Sequence, residues 1–158
     1  MDMSTDSLAA ALEREHHEID DGIAKFAAAP GDQQPLVHAF RALRRHIYLE
    51  EEVLFPLLRQ AEPALGAALF VMLREHGQIW KLLDTLEHDL DANADAASPA
   101  LIRQVESHLL HHNLKEEKVV YPRADEVLPT ATAERLQNFL DSGEMPDGWV
   151  CFKARPEQ

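Results

Sequence analysis

Four stretches of this chain carry apolar residues at a helical period, and each stripe is interrupted near its middle by polar residues. The first stripe is Leu8, Leu12, Ile19, Ile23 and Phe26, and the second is Leu36, Phe40, Leu43, Val53, Leu54 and Leu57. The third is Leu65, Leu69, Met72, Leu73, Ile79, Leu83 and Leu86, and the fourth is Leu101, Val105, Leu109, Val119 and Val120. Apolar residues recurring three and four apart mark one buried face per helix. Punctuation sets the ends. Ser4 or Asp6 can cap a first helix to Ala29, which Pro30-Gly31 stops. Pro35 starts a second helix reaching about Ala61. Glu62-Pro63 opens a third, ending near Asn93, and Ser98-Pro99 opens a fourth, ending near Leu128. Pro129-Thr130 starts a short fifth helix to about Leu140, stopped by Ser142-Gly143. The long segments are roughly 25–30 residues, or about 40 Å each. Short connections make sequential helices antiparallel neighbours. The expected fold is all-α: an up-down-up-down antiparallel four-helix bundle over residues 1–128, with a short extra helix and tail over 129–158 packed on it. Pro56 and Pro122 fall inside the second and fourth helices, where each is expected to kink its helix or end it early.

The interruptions are histidines and glutamates. His16 lies between Leu12 and Ile19, and His76 between Leu73 and Ile79. His46 follows Leu43 by one turn and is followed one turn on by Glu50; His112 follows Leu109 likewise, with Glu116 next. Residues four apart share a helix face, so both His–Glu pairs point inward. Counted from the turns, all six lie about 10–17 residues in, so at about 1.5 Å per residue they converge on one layer. Four imidazoles and two carboxylates in an apolar core are costly as free polar groups. Metal ions remove that cost. Imidazole with carboxylate suits iron, manganese or zinc and is too nitrogen-rich for calcium or magnesium.

The chain also repeats itself. His46-Ile-Tyr-Leu-Glu50-Glu51-Glu-Val-Leu-Phe55-Pro56 matches His112-Asn-Leu-Lys-Glu116-Glu117-Lys-Val-Val-Tyr121-Pro122, both reading H-x3-E-E-x3-aromatic-P. Glu15-His16-His17-Glu18-Ile19 likewise matches Glu75-His76-Gly77-Gln78-Ile79. Two helical hairpins of one type, each supplying a His and then a His-x3-Glu, naturally hold two metals. His111 with Glu116, or His112 with Glu117, offers a competing spacing; the repeat favours His112 with Glu116.

On these motifs the chain resembles the hemerythrin-like family, the HHE cation-binding domains, over about residues 5–125. The resemblance implies a non-haem di-iron centre, oxo- or hydroxo-bridged, with His16, His46, Glu50, His76, His112 and Glu116 as ligands and the two glutamates bridging. Such a centre handles dioxygen, nitric oxide or peroxide, or senses and stores iron. Oxygen-carrying members have a second histidine one turn after the third-helix ligand; here that position is Trp80. The departure argues against reversible oxygen transport. It implies an open metal position near Trp80, walled by its ring, for a small diatomic or peroxide ligand. Three functions follow: binding, sensing or storage; a di-iron enzyme of peroxidase, catalase-like or nitric-oxide-reducing type, with His108, Tyr48 or Glu51 to move protons; or a metal-responsive interaction module using the tail.

The remaining candidates read more plainly. His17, His38 and His88 are expected at the surface, His111 at a stripe boundary, and His108 in the core or at its boundary, or else beside the site as a support or an extra ligand. Glu51, Glu52, Glu117, Lys115 and Lys118 form a solvated face or support the ligands. Tyr48 and Tyr121 are expected to pack, with hydrogen bonds near the site as the alternative, and Cys151 to be a small apolar tail residue, with a redox role as the alternative. One cysteine rules out a disulfide framework, an all-cysteine zinc site and a protein-ligated iron–sulfur cluster. With 15 basic against 28 acidic residues the formal charge is −13, which disfavours nucleic acid and anionic membranes as partners. A start without basic residues or an apolar run, and no apolar stretch near the ~20 residues of a membrane span, point to a cytoplasmic protein.

Overall fold

The computed structural model describes residues 7–92 and 98–156. They form an all-helical bundle, with no strand among the described residues. Helix α1 (Leu8–Ala28) begins at Ser7, whose side chain accepts from the Ala10 amide at 3.1 Å. Ser7 is therefore the cap, and Ser4 and Asp6, expected in that role, lie outside the described residues. Helix α2 (Gln34–Leu49) runs through a π-turn (Glu50–Leu54) into α3 (Phe55–Ala61). A 3-10 turn (Pro63–Leu65) leads to α4 (Gly66–Ala92). Helix α5 (Pro99–Lys115), capped by Ser98, passes through a second π-turn (Glu116–Val120) into α6 (Tyr121–Val127). Helix α7 (Thr130–Ser142) and a 3-10 turn (Phe152–Ala154) complete the fold.

Of the two outcomes expected for the prolines, an early end does not occur: the segments pass through π-turns and continue beyond Pro56 and Pro122. A proline inside a helix lacks an amide donor and crowds the preceding turn. Here the turn before each proline is widened: the Phe55 amide reaches back five residues to the Glu50 carbonyl, and the Tyr121 amide to that of Glu116. The extra residue also shifts the buried face by one position. Leu58 is buried where Leu57 was expected, and Val119 is 46% exposed while Val120 is fully buried.

Apolar residues fall into two clusters. One gathers Ile19–Phe26, Leu36–Ile47, Ile79–Leu86 and Ile102–Leu109 positions; the other gathers Leu8 and Leu12, Leu49–Leu58, Leu65–Met72 and Val120–Ala124 positions. The chain alternates between them. Helix α1 starts in the second cluster and ends in the first, α2–α3 returns, α4 crosses again, and α5–α6 returns once more. At each crossing the backbone passes one polar layer. Helix α7 packs on α1 and α2, and the final 3-10 turn packs on α4. No helix among the described residues is long and apolar enough to cross a membrane.

Candidate metal centre

The polar layer brings His16, His46, Glu50, His76, His112 and Glu116 together, all of them buried. They form two groups. His16, His46, Glu50 and Glu116 present ligand atoms within 4.8 Å of one another, as do Glu50, His76, His112 and Glu116. Both glutamates belong to both groups. Each opens a π-turn, so the widened backbone is the same feature that delivers the shared carboxylates and accommodates the prolines.

All four imidazoles turn Nε2 inward and Nδ1 outward. Inside, Nε2 of His46 is 3.3 Å from Glu50, that of His76 is 3.0 Å from Glu50, and those of His16 and His112 are 3.2 and 3.3 Å from Glu116. Outside, each Nδ1–H donates to a further carboxylate: His16 to Glu117 at 2.8 Å, His46 to Glu15 at 2.8 Å, His76 to Glu51 at 2.7 Å and His112 to Glu75 at 2.9 Å. These partners obey the sequence repeat, since Glu15 corresponds to Glu75 and Glu51 to Glu117. A carboxylate on Nδ1 fixes ring and tautomer and makes Nε2 a better donor to a metal. Glu15 and Glu75 are in turn held by Arg45, at 2.9 Å, and Lys115.

Without metal the layer is incompletely satisfied. Glu50 Oε1, His76 Nε2 and Glu116 Oε2 are buried with no hydrogen-bond partner of good geometry. Such atoms are rare in folded proteins and call for an explanation; a cation between them supplies one. Protons take part of its place in the protein alone. Burial opposes charge on His46, but Glu50 and Glu15 outweigh it and lift its pKa to about 10. Burial likewise opposes charge on His76, and Glu116, Glu50 and Glu51 still raise its pKa well above the usual range. Against its own burial, Glu116 is held well below the carboxylate range by His112, His16 and His76.

Tyr121, for which packing is the first expectation and hydrogen bonding near the site the second, enters the centre. Its hydroxyl lies 2.5 Å from Glu50 Oε2, 2.9 Å from Glu116 Oε1, and 3.0 and 3.1 Å from Nε2 of His46 and His16. Burial and then the two carboxylates hold its pKa well above the phenol range. A cavity of about 10 Å³ adjoins the layer, with Leu43, Ile47, Ile79 and Asn113 beside the six residues in its wall. That is room for about one water. Trp80 is buried but absent from that wall: it stacks under Arg44 at 4.4 Å and meets Trp149 edge-on at 5.5 Å. Trp80, expected to wall the site, therefore does not line this cavity.

The peripheral residues sort as follows. His17, His38, His88, His108 and His111 are exposed, so His108 neither supports nor joins the layer. Tyr48 contacts Phe139 and Trp149 rather than the histidines. Glu52, Lys115 and Lys118 are exposed, whereas Glu51 is buried on His76.

A model of the hemerythrin HHE cation binding domain matches residues 7–124, the stretch that carries all six residues and both π-turns. The chain belongs to this family. No curated protein and no solved structure was found to match it. Membership in this HHE family implies binding of metal ions, typically iron, and the buried His/Glu groups fit such a site.

Proposed function

We propose that this HHE-domain protein binds a pair of iron ions and uses them to bind, sense or store a small ligand: dioxygen, nitric oxide, peroxide or iron itself. One observation carries the reading. Two four-residue groups share Glu50 and Glu116, and the only buried side-chain polar atoms left orphaned among the described residues lie on the inner edges of that shared layer. His16 and His46 would hold one ion, His76 and His112 the other, with Glu50 and Glu116 spanning both. Alternation of the helices between two apolar clusters supports an up-down-up-down antiparallel four-helix bundle as the frame.

Bound iron would supply redox chemistry and Lewis acidity to a small ligand. The chain's own residues do the rest. The four outer carboxylates orient the imidazoles, and the aliphatic wall of Leu43, Ile47 and Ile79 excludes bulk water and any large ligand. Tyr121 holds a proton 2.5 Å from Glu50. That hydroxyl favours a second reading, a di-iron enzyme, because turnover of peroxide or nitric oxide needs a proton donor beside the metals.

Anaerobic ferrous loading, metal analysis and spectra after adding dioxygen, nitric oxide or peroxide test both. Two ions per chain with stoichiometric ligand binding supports the first reading, and continuous peroxide or nitric oxide consumption supports the second. Less than one ion per chain after loading refutes the paired centre.

A further inference from the structure

The residues beyond the family match are wired to the centre. Residues 143–156 form a strap across α4, and its contact point is Glu51. One oxygen of Glu51 accepts from the Phe152 amide at 2.9 Å, and the other from His76 Nδ1 at 2.7 Å. The strap lies so close that a Cβ on Gly77, the residue after His76, would fall 2.6 Å from Lys153 Cβ and 3.2 Å from its carbonyl carbon. Trp149 fastens the strap by donating to Glu52 at 2.7 Å and packing on Trp80. The sequence repeat provides an internal control. Glu117, the counterpart of Glu51, also receives a histidine Nδ1, but its side chain is 24% exposed while that of Glu51 is 0% exposed. The strap is what separates the two.

We propose that the strap is a positioning element of the metal centre: through the Phe152 amide it fixes Glu51, Glu51 fixes His76, and metal binding at the His76/His112 group and docking of the strap therefore favour each other. The proposal rests on the layer being a metal site. A carboxylate free to rotate orients its histidine less well, and loss of such a partner typically weakens metal binding about 10–100-fold. Coupling is reciprocal, so bound metal must hold the strap down by the same factor.

Cys151 reports docking. It is buried in the cluster of Ile79 and Trp80, and burial, then the nearby Glu51 charge, push its thiol up to about 11. Alkylation of this thiol by iodoacetamide under argon therefore follows strap opening. Ferrous iron is expected to slow it at least tenfold in the unaltered chain. Gly77→Ala, which favours helix but collides with Lys153, should speed alkylation and weaken binding of one of the two ions by a similar factor, with helical circular dichroism unchanged. Glu51→Gln should abolish the effect of iron on alkylation. If iron binds at two per chain and alkylation proceeds equally fast with and without it, the coupling is refuted and the metal site stands. A Gly77→Ala chain whose thiol reacts fast but which binds both ions with parental affinity refutes it as well. A chain that takes up no iron refutes both, and the metal count tells these cases apart.

Discussion

The His16/His46 half and the His76/His112 half of the centre are built from one repeated segment, yet besides the strap on Glu51 they differ at one aromatic ring. Phe55 and Tyr121 hold the same place in the two H-x3-E-E-x3-aromatic-P runs. Phe55 stacks on His76 with centroids 5.7 Å apart and planes 10° from parallel. Tyr121 is tilted 33° to His16 and inserts its hydroxyl among two imidazoles and both shared carboxylates. All three orphaned polar atoms lie away from that hydroxyl, two of them on the glutamate oxygens it does not reach and the third on His76. A repeat can therefore dictate donors and their supports, while one oxygen atom gives the His16/His46 pair a hydroxyl neighbour that Phe55 cannot supply.

The largest expected effect treats the halves as one. Glu50→Ala or Glu116→Ala removes a residue common to both groups, so iron content should fall from two ions to below one and the metal-induced rise in Tm should vanish. His16→Ala and His76→Ala come next, and each should keep one ion; loss of both ions from either variant would show that the halves cannot fill independently. Tyr121→Phe should cost the metal-free protein about 1–3 kcal/mol in urea unfolding, because Glu50 loses a buried donor. A change within error would mean the hydroxyl is not what satisfies that carboxylate. His17→Ala, on the solvent face beside His16, should move stability by less than about 0.5 kcal/mol and leave iron content unchanged.

Acidity sharpens the comparison between metal-free and loaded protein. The His46 pKa is raised from 6.5 to about 10. Its contribution to the metal-free fold is therefore complete below about pH 6.5 and is lost as pH rises toward 10. Metal binding requires those protons to leave, so affinity should rise over the same window. Urea unfolding of the metal-free chain and a competitive chelator titration, both from pH 6 to 9, should slope in opposite directions; parallel slopes would refute the assignment of His46 to the metal.

The six polar residues could be brought together on paper because each lies on an apolar stripe, and a stripe fixes both face and height. The outer carboxylates leave a weaker trace in the sequence. Glu15 reaches His46 and Glu117 reaches His16 across helix pairs, contacts that no spacing within one helix encodes; the repeated Glu-His dipeptide was the available hint. Tyr121, Leu58 and Val119 all lie at or beyond a π-turn, and a one-residue shift of register moves every later side chain by a third of a turn. A proline after a glutamate pair signals trouble for a helix, but not which way the backbone resolves it. Trp80 was placed by its spacing from His76, whereas Arg44 and Trp149 hold its ring elsewhere.

The outer ring of carboxylates has an electrical consequence. Glu15, Glu50, Glu51, Glu75, Glu116 and Glu117 all contact the four imidazoles, and Arg45 and Lys115 are the cations paired with them. With neutral imidazoles these carboxylates outweigh Arg45 and Lys115, and bound metal cations would offset the excess. The layer thus carries the sign of charge that suits cations before any ligand arrives. Any further positive charge has to be met by an incoming anion, because burial and the two shared carboxylates hold the Tyr121 proton in place.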